Sequence, residues 1–303
     1  MLEIKNLSKK FGDYKALRKV SVTAKKGEIF GLVGSNGCGK TTLLKHIMKI
    51  YKPDNGEINY EDHNILNDYS ISEKFYYEQD NIYFQNRFSL RDLFAYEKLF
   101  YKDISSTKYY KLLEYFSLDE DKILNKMSKG QRKQAAFVIA IAANSEVLLL
   151  DEIVDGLDAV VKRKFWNILI EEIMERNLIV IISSHDLKEL DNICSRIAIM
   201  HEGEIIREED LENMKKEIKR VQFHIDAEYE YMINKDFTIK KIFKLGSVYI
   251  ATVQGDVRSF IEDLRNRYNV MICDEIPMNL EEIFISELGN KGYGVEKFDG
   301  FEE

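Results

Sequence analysis

The feature that most constrains this chain is a glycine-rich stretch, GSNGCGKT, at positions 34–41. An apolar run, IFGLV, precedes it and is typical of a buried strand, and a helix is predicted to follow from about residue 40. The pattern GxxxxGKS/T between a strand and a helix is typical of a phosphate-binding loop, whose backbone N–H groups turn inward around phosphate oxygens. In such a loop Lys40 reaches the β- and γ-phosphates, and the hydroxyl of Thr41 binds Mg²⁺. The sequence therefore predicts a site for a nucleoside triphosphate.

A second candidate motif is an apolar strand that ends in two acids, LLLDE at positions 148–152. Such a strand is common by itself, but beside a phosphate loop Asp151 would lie at the carboxyl end of a neighbouring strand, where open α/β sheets bind ligands. Asp151 is then predicted to hold Mg²⁺ through water, and Glu152 to act as general base toward the attacking water. Another apolar strand, at positions 178–182, ends in the sequence SSH. Strands that alternate with helices in this way favour a parallel α/β sheet.

The pattern along the first two thirds of the chain predicts one nucleotide-binding domain, residues 1–212. Short alternating strands are expected at residues 2–4 and 21–23. Residues 84–144 have apolar residues at helical spacing, which predicts an inserted helical lobe.

The rest of the chain predicts a second, smaller unit. A charged helix over residues 208–220 is expected to link the two parts, because domain boundaries favour such polar segments. Alternating strands and two helices then predict a small α+β module over residues 213–303.

Charge and apolar pattern exclude several kinds of partner. The formal net charge is −8, so the chain repels a nucleic-acid backbone, and no nucleic acid is expected as a partner. The longest uncharged apolar run, residues 135–143, is well short of the roughly 20 residues of a membrane-spanning helix. Any membrane role is therefore expected to act through another subunit. Three cysteines without paired spacing, Cys38, Cys194 and Cys273, favour a reducing, cytoplasmic location.

A third motif, MSKGQ at positions 127–131, resembles the LSGGQ signature of the ABC (ATP-binding cassette) ATPases. The resemblance extends up to the charged helix. It implies an α/β phosphate-loop ATPase cassette, with a parallel sheet core, an antiparallel β subdomain and a helical lobe, followed by the small C-terminal α+β module. In this family the signature opens a helix whose N-terminus faces the γ-phosphate of ATP held by the opposite subunit, so Ser128 and Gly130 are expected to act in trans. Lys129 stands where the family has a first glycine.

Other residues match this family in the expected order. Gln79 resembles the glutamine that senses Mg²⁺ and the attacking water, and His185 resembles the histidine that bonds the γ-phosphate. The sequence DGLD at positions 155–158 resembles the loop that packs across the dimer. Phe11 resembles the aromatic residue that stacks on adenine, with Tyr14 as the alternative.

The motifs and the resemblance together predict three sets of site residues. The predicted catalytic residues are Glu152, His185 and Gln79, and the predicted Mg²⁺ ligands are Thr41, Gln79 and Asp151. The predicted ATP-binding residues are Phe11, Gly34, Ser35, Asn36, Gly37, Cys38, Gly39, Lys40, Thr41, Thr42, Ser128, Gly130, Gln131 and Asp158. ATP and Mg²⁺ are therefore the expected cofactors.

Among ABC proteins, the chain resembles the ATP-binding subunits of bacterial exporters of drugs, antibiotic peptides or toxic peptides. It carries a single cassette without fused membrane helices, and NLEEIF at positions 279–284 resembles the end of the C-terminal module in such subunits. The resemblance implies a homodimer, or a pair with a second ABC subunit, bound to an integral membrane transport subunit at the inner face of the cell membrane. The aromatic-rich residues 75–100 are where that subunit would dock. The alternative is that the rings of Tyr83, Phe84, Phe88, Phe94 and Phe100 are mostly core of the helical lobe.

Three alternatives stay open at this point. The cassette does not encode the direction of transport, so an importer of sugars or metals fits the motifs as well. A soluble ABC ATPase that acts on ribosomes, on DNA ends or on iron–sulfur assembly is a rival, although this sequence lacks the second cassette or the long coiled coil typical of the first two. A non-catalytic interaction protein is disfavoured, because every catalytic position is occupied.

Overall fold

A computed structural model describes residues 1–79, 87–225, 239–268, 270 and 272–289. The chain divides into two compact units, one formed by Met1–Asp186 with Ile193–Glu208 and the other by Leu187–Asn192 with Glu209–Glu303. Every predicted site residue belongs to the first unit. In the part of the chain that the structure describes, no helix is both long and apolar enough to cross a membrane.

The first unit contains two sheets. In chain order its strands are β1 Leu2–Phe11, β2 Tyr14–Ala24, β3 Ile29–Val33, β4 Asn55–Tyr60, β5 His63–Asn64, β6 Phe75–Gln79, β7 Val147–Asp151, β8 Ile179–Ser184, β9 Arg196–His201 and β10 Glu204–Asp210. The central sheet has the order β10-β9-β3-β8-β7-β6. The five strands from β9 to β6 in this order are parallel to one another. Strands β3, β7 and β8 are buried along their whole length, which is typical of a parallel sheet covered on both faces.

The second sheet of this unit is antiparallel, with the order β2-β1-β4-β5. Its first two strands are much longer than the short strands expected at residues 2–4 and 21–23. The pairing of β1 with β2 shifts register at several points, and Asn6 and Lys19 have φ values of 49° and 51°. Such irregularities break the period-two alternation. The sequence pattern therefore predicted only the open end of the hairpin, where residues 2–4 pair with residues 22–24 in regular register.

Helices of the first unit cover the central sheet and form a lobe. They are α1 Lys40–Ile47, α2 Leu90–Glu97, α3 Ser106–Phe116, α4 Lys129–Ala142 and α5 Ala159–Arg176. The next helix, α6 Leu187–Ile193, belongs to the second unit except for its last residue. Ser89 begins α2 with a capping box, and the buried ring of Phe94 stacks on Tyr109 with centroids 3.8 Å apart. Both α2 and α3 contact α4, and turns and loops join these helices within the described part of residues 84–144.

The second unit is an antiparallel sheet with helices. It contains α7 Leu211–Glu217, β11 Ile218–Phe223, β12 Ile239–Leu245, β13 Val248–Gln254, α8 Val257–Arg267, β14 Cys273–Ile276 and α9 Leu280–Gly289, and the strand order is β12-β13-β11-β14. The charged helix expected over residues 208–220 was wrong in extent. Strand β10 runs to Asp210, the helix ends at Glu217, and β11 buries Ile218, Val221 and Phe223, so tertiary burial overrides the helical propensity of its charged residues.

Candidate active site

The glycine-rich loop connects β3 to α1, as the sequence predicts. Gly37 and Gly39 have φ values of 78° and 114°, in the left-handed region that favours glycine. A Cβ atom at Gly39 would lie 2.7 Å from the carbonyl oxygen of Ala16. The turn therefore requires glycine both for its dihedral angles and for the close approach of β2.

Lys40, the first residue of α1, places a positive charge at the base of this loop. Its side chain is 4% exposed, and its ammonium donates to the carbonyl oxygens of Gly34 at 2.8 Å and Ser35 at 3.3 Å. The same nitrogen lies 3.9 Å from Oε1 of Glu152. The loop thus joins a nearly buried cation to the acid that follows β7. Cys38, also in the loop, is buried, and burial raises the pKa of its thiol.

A cavity of about 230 Å³ opens beside the loop. It is lined by Tyr14, Ala16, Asn36, Gly37, Gly39, Lys40, Thr41, Thr42 and Glu152. Six of the predicted ATP-binding residues and the predicted general base therefore share one cavity. Backbone N–H groups at the start of α1 and the ammonium of Lys40 give this cavity the chemistry of an anion site.

The two aromatic candidates for the adenine contact lie at the end of the β1–β2 hairpin, where Phe11 pairs with Tyr14. Phe11 is 43% exposed, and its ring packs edge-on against Tyr51 with centroids 5.3 Å apart. Tyr14 lines the cavity, and its hydroxyl donates to the carbonyl oxygen of Gly37 at 2.9 Å. The structure thus brings Tyr14, the alternative, into direct contact with the phosphate loop.

Asp151, at the end of β7, is 4% exposed and is held by two hydroxyl groups. Ser183 donates to Oδ1, and Tyr77 donates to Oδ2 at 3.0 Å. Burial, together with the nearby Asp151, raises the pKa of the Tyr77 phenol well above its usual value. Gln79 ends β6 directly opposite Asp151 in the strand register. The carboxylate and the amide therefore end adjacent strands at the same edge of the sheet.

These oxygen donors fit Mg²⁺, which prefers carboxylate, amide and hydroxyl oxygens over nitrogen or sulfur. Asp151 supplies a carboxylate that hydroxyl donors hold in place, and Gln79 supplies an amide oxygen. Thr41 supplies a hydroxyl from the lining of the cavity.

Glu152 has an unusual backbone conformation. Its φ is 56°, which is uncommon for a residue with a side chain, and its N–H donates to the carbonyl oxygen of Ser183 at 3.0 Å. Its side chain is 31% exposed, and Oε1 lies 3.9 Å from Nζ of Lys40 and 4.0 Å from Nδ1 of His185. The turn after β7 therefore aims this carboxylate between a lysine and a histidine.

His185 follows β8 and contacts the carboxylate of Asp155, the first residue of the DGLD motif. Its Nδ1 lies 3.0 Å from Oδ2 of Asp155, although without hydrogen-bond alignment, and the hydroxyl of Ser184 donates to Oδ1 of Asp155 at 3.1 Å. Ligand atoms of Glu152, Asp155 and His185 all lie within 4.8 Å of one another. The predicted base and the predicted histidine thus belong to one polar cluster.

The signature residues lie at the start of α4 in the helical lobe. Ser128 is the N-cap, and its hydroxyl accepts the N–H of Gln131 at 3.2 Å, while Oε1 of Gln131 accepts the N–H of Ser128 at 3.2 Å. Ser128 is exposed, and the nearest atom to a Cβ built on Gly130 is a Leu157 methyl 3.9 Å away. None of the signature residues is among the described residues that line the cavity.

Two predicted ATP contacts have roles in helix capping. Asp158 is the N-cap of α5, where Oδ1 accepts the N–H groups of Val160 and Val161 at 3.0 Å each. Gln131 completes the capping box of α4 and also accepts from the ammonium of Lys122 at 3.1 Å. Within the described residues, neither side chain lines the cavity.

The structure also brings in Tyr77 and Lys133, which the sequence motifs missed, and it gives Asp155 of the DGLD motif a contact with His185. Lys133 is 1% exposed on α4, and its ammonium donates to the carbonyl oxygens of Glu152 and Asp155 at 3.2 and 2.6 Å. A signal for it was present, since Ala136, Phe137 and Ala140 place it on an otherwise apolar helix face. A charge on such a face predicts a buried, paired group.

Comparison with known proteins agrees with this geometry. The family described as "ABC transporter" matches residues 17–155. The chain is 30% identical over 294 residues to the ABC transporter ATP-binding protein YtrB of Bacillus subtilis, covering 96% of this chain and 99% of that protein. It is 27% identical to the bacitracin transport ATP-binding protein BcrA of Enterococcus faecalis, with 96% and 97% covered. It is 28% identical to the methionine import ATP-binding protein MetN of Clostridioides difficile, with 95% and 97% covered.

A solved structure is also similar. The dimeric structure of MJ0796, described as a bacterial ABC transporter cassette, superposes with a TM-score of 0.61 at 26% identity, covering 70% of this chain and 99% of that chain. The predicted fold class, a phosphate-loop cassette with a parallel sheet core, an antiparallel sheet and a helical lobe, is confirmed.

Proposed function

We propose, because the chain belongs to the family of ABC transporter ATP-binding proteins, that two such cassettes close around two ATP molecules and drive export of a drug or peptide through a separate membrane subunit. The chain hydrolyses ATP, and its cofactors are ATP and Mg²⁺. Cassettes of this family act as dimers together with a membrane transport subunit. The residues that perform each step, the export direction and the class of cargo are the subject of the proposal.

The observation that carries this proposal is the separation of the two phosphate-binding elements. The cavity beside the phosphate loop contains Lys40, Thr41 and Glu152. Ser128 lies elsewhere, exposed at the N-terminus of α4, where the positive end of the helix dipole favours an anion. Each chain therefore offers one loop and one signature to different phosphate groups, and a second cassette would supply the missing half of each site.

Within one site, the geometry supports specific roles for the side chains. Lys40 and the N–H groups of the loop bind the β- and γ-phosphates, where preorganised donors stabilise developing negative charge. Glu152 accepts a proton from the attacking water, since its carboxylate points between Lys40 and His185 at about 4 Å from each. His185 donates to a γ-phosphate oxygen, and Asp155 holds its imidazole in place.

Asp151, Gln79 and Thr41 would hold Mg²⁺, which supplies positive charge to neutralise the phosphate oxygens. Ser183 and Tyr77 orient the carboxylate of Asp151 through their hydroxyl groups. These two hydrogen bonds keep both carboxylate oxygens of Asp151 at the end of β7. Residues that hydrogen-bond to a metal ligand commonly orient it in this way.

Complementation between two inactive variants tests the shared site. Lys40→Ala removes the loop charge, and Ser128→Asp keeps a good N-cap on α4 while it places a negative charge against the γ-phosphate. Each variant alone should be nearly inactive. When the two are mixed, random pairing gives one intact site in half of the dimers, so about a quarter of wild-type hydrolysis should return. Ser128→Asn is the control, because it caps the helix without adding charge.

If the mixture stays inactive although mixed dimers form, as measured with differently tagged chains, then either a single intact site cannot fire or the sites are not shared between chains, and the second outcome refutes the mechanism. If the Ser128→Asp variant alone remains active, the proposed contact between the signature and the γ-phosphate is refuted.

The membrane partner would dock on the aromatic-rich segment, residues 75–100, as far as the structure describes it. Tyr83 and Phe84 lie outside the described residues. At the end of α2, Tyr96, Leu99 and Phe100 are 42%, 76% and 53% exposed, and Tyr96 contacts the rings of Phe88 and Phe100. Neighbouring exposed apolar side chains are typical of a protein contact. Such docking would keep the cassette at the inner face of the cell membrane.

The proposal of export rests on the resemblance of NLEEIF at positions 279–284 to the end of exporter subunits, since the chain is about equally similar to a bacitracin transport protein and to a methionine import protein. Inverted membrane vesicles that contain this chain and its membrane subunit test the direction, because ATP added outside them reaches the cassette. We expect ATP-dependent uptake of a fluorescent peptide antibiotic into these vesicles, and none with Glu152→Gln. Uptake only by right-side-out vesicles loaded with ATP would show import instead.

A further inference from the structure

Lys133 is a lysine in the interior of the first unit that the roles described above do not use. It lies in the second turn of α4, and its side chain is 1% exposed. Lysine is almost never fully buried unless its charge is satisfied, because taking an ammonium out of water without partners is strongly unfavourable. The partners of Lys133 therefore indicate why it is there.

Those partners include two backbone carbonyl oxygens in the turn between β7 and α5. The ammonium donates to the carbonyl of Glu152 at 3.2 Å and to that of Asp155 at 2.6 Å. A lysine has three donors and no acceptor, so one side chain can hold two carbonyls of the same turn. A neutral apolar residue here would leave both carbonyls without this donor.

The carbonyl of Glu152 belongs to a residue with an uncommon backbone conformation. Glu152 has a φ of 56°, a conformation that persists only where surrounding contacts enforce it. Its N–H is held by the carbonyl of Ser183 in β8, and its C=O is held by Lys133. Because the peptide groups on both sides are held, the direction of its Cα–Cβ bond is fixed, and from there the carboxylate reaches between Lys40 and His185.

The second carbonyl extends this control to the histidine. Asp155 accepts from Lys133 through its backbone, and its carboxylate lies 3.0 Å from Nδ1 of His185. Ser184 holds the other oxygen of that carboxylate. One ammonium thus anchors both the residue that carries the base and the residue that contacts the histidine.

The anchor itself belongs to the signature helix. Ser128 caps α4, and Lys133 follows five positions later, a rise of about 7.5 Å along a rigid helix. We propose that Lys133 is a positioning residue that ties the signature helix to the backbone of Glu152 and Asp155. Contact of Ser128 with the ATP of the opposite cassette is then transmitted to the base of this cassette's own site. This inference rests on the proposed function, since it assumes Glu152 as base and Ser128 as a contact in trans.

The test uses the full chain with Lys133→Met, which removes the ammonium and keeps an unbranched chain, and with Lys133→Arg, which restores donors. Lys111→Met, an exposed lysine on α3, is the matched control. We expect Lys133→Met to lower kcat on the order of 10²-fold, the size of effect that a small misplacement of a catalytic group causes. The KM for ATP and equilibrium ATP binding should stay unchanged. Lys133→Arg should recover much of the rate.

A double-mutant cycle with Glu152→Gln separates positioning from general structural damage. If Lys133 acts through Glu152, then Lys133→Met should cause no further loss of turnover once Glu152 is Gln. A purely structural role would instead add its loss to the double variant, weaken ATP binding, and shift the unfolding transition followed by the fluorescence of Trp166. Should Lys133→Met yield no folded protein, Lys133→Gln carries the same comparison, because its amide can donate to one carbonyl.

The outcomes distinguish failure of the positioning role of Lys133 from failure of the proposed function. Wild-type kcat in Lys133→Met, beside an inactive Glu152→Gln, overturns the positioning role and leaves the proposed function intact. If Glu152→Gln keeps a near-wild-type kcat, Glu152 is not the general base, and the positioning role of Lys133 is refuted as well. The proposal is also overturned if Lys133→Met lowers turnover by the same factor in the Glu152→Gln background as in the wild type.

Discussion

Glu78, next to the predicted Mg²⁺ ligand Gln79, has a carboxyl group that the fold buries. Its side chain is 9% exposed at the end of β6, and it accepts the N–H of Gln79 at 3.2 Å. Burial raises the pKa of the Glu78 carboxyl from 4.5 to about 8, and the nearby Glu97 adds to the effect, whereas the Gln79 N–H and the Tyr76 hydroxyl oppose it. The folded chain therefore keeps a proton here that the unfolded chain has already released at neutral pH.

The perturbation is Glu78→Gln, which resembles the protonated acid in shape and hydrogen bonding. One pKa unit corresponds to about 1.4 kcal/mol, so the raised pKa of Glu78 amounts to on the order of 4 kcal/mol of differential proton binding. Because the folded pKa is raised, the stability linked to this proton is fully present below pH 4.5 and is lost as the pH rises to about 8. The glutamine variant has no such proton to lose.

We therefore expect the wild type and Glu78→Gln to be similarly stable near pH 4.5. Above about pH 8, Glu78→Gln should be more stable than the wild type by up to on the order of 4 kcal/mol. Urea unfolding at a series of pH values measures this difference. Trp166, the one tryptophan of the chain, is buried in the first unit, so its fluorescence reports on that unit alone.

Glu114→Gln, which removes the same charge from an exposed position on α3, is the matched control. Glu97 requires its own variant, because burial also raises its pKa, to about 7, and the two carboxyls interact. If the stability of Glu78→Gln follows the pH profile of the wild type without divergence, the reasoning about the buried carboxyl is refuted.

Three further predictions concern the site and its boundaries. Glu152→Gln should lower turnover by about 10²–10⁴-fold while ATP binding persists, measured by phosphate release and by equilibrium binding; hydrolysis within a few-fold of wild type would remove Glu152 from the role. Lys40→Ala should weaken productive binding by on the order of 3 kcal/mol, and unchanged affinity together with unchanged hydrolysis would refute the phosphate-loop assignment. A chain ending at Glu212 should still fold and bind ATP, since every predicted site residue lies in the first unit; aggregated protein, or a lost Trp166 transition, would contradict this.

The sequence by itself determined the family, the fold class and the cofactors, because these depend on local patterns. A phosphate loop is set by glycines at fixed spacing between a strand and a helix, and Gly37 and Gly39 adopt the dihedral angles that such a loop requires. Buried parallel strands such as β7 and β8 are continuous apolar runs, which the sequence displays directly. The motif MSKGQ marked a helix start that the capping box of Ser128 and Gln131 confirms.

The tertiary structure decided which side chains face each other. Tyr14 and Phe11 are alternatives in sequence, but the bulged hairpin places Tyr14 on the phosphate loop. Asp158 and Gln131 cap helices, a role that their motif positions did not indicate. Lys133 joins α4 to a turn that lies 19 and 22 residues later in the chain. Contacts between elements depend on how the elements pack, and no local pattern of residues specifies that distance or direction.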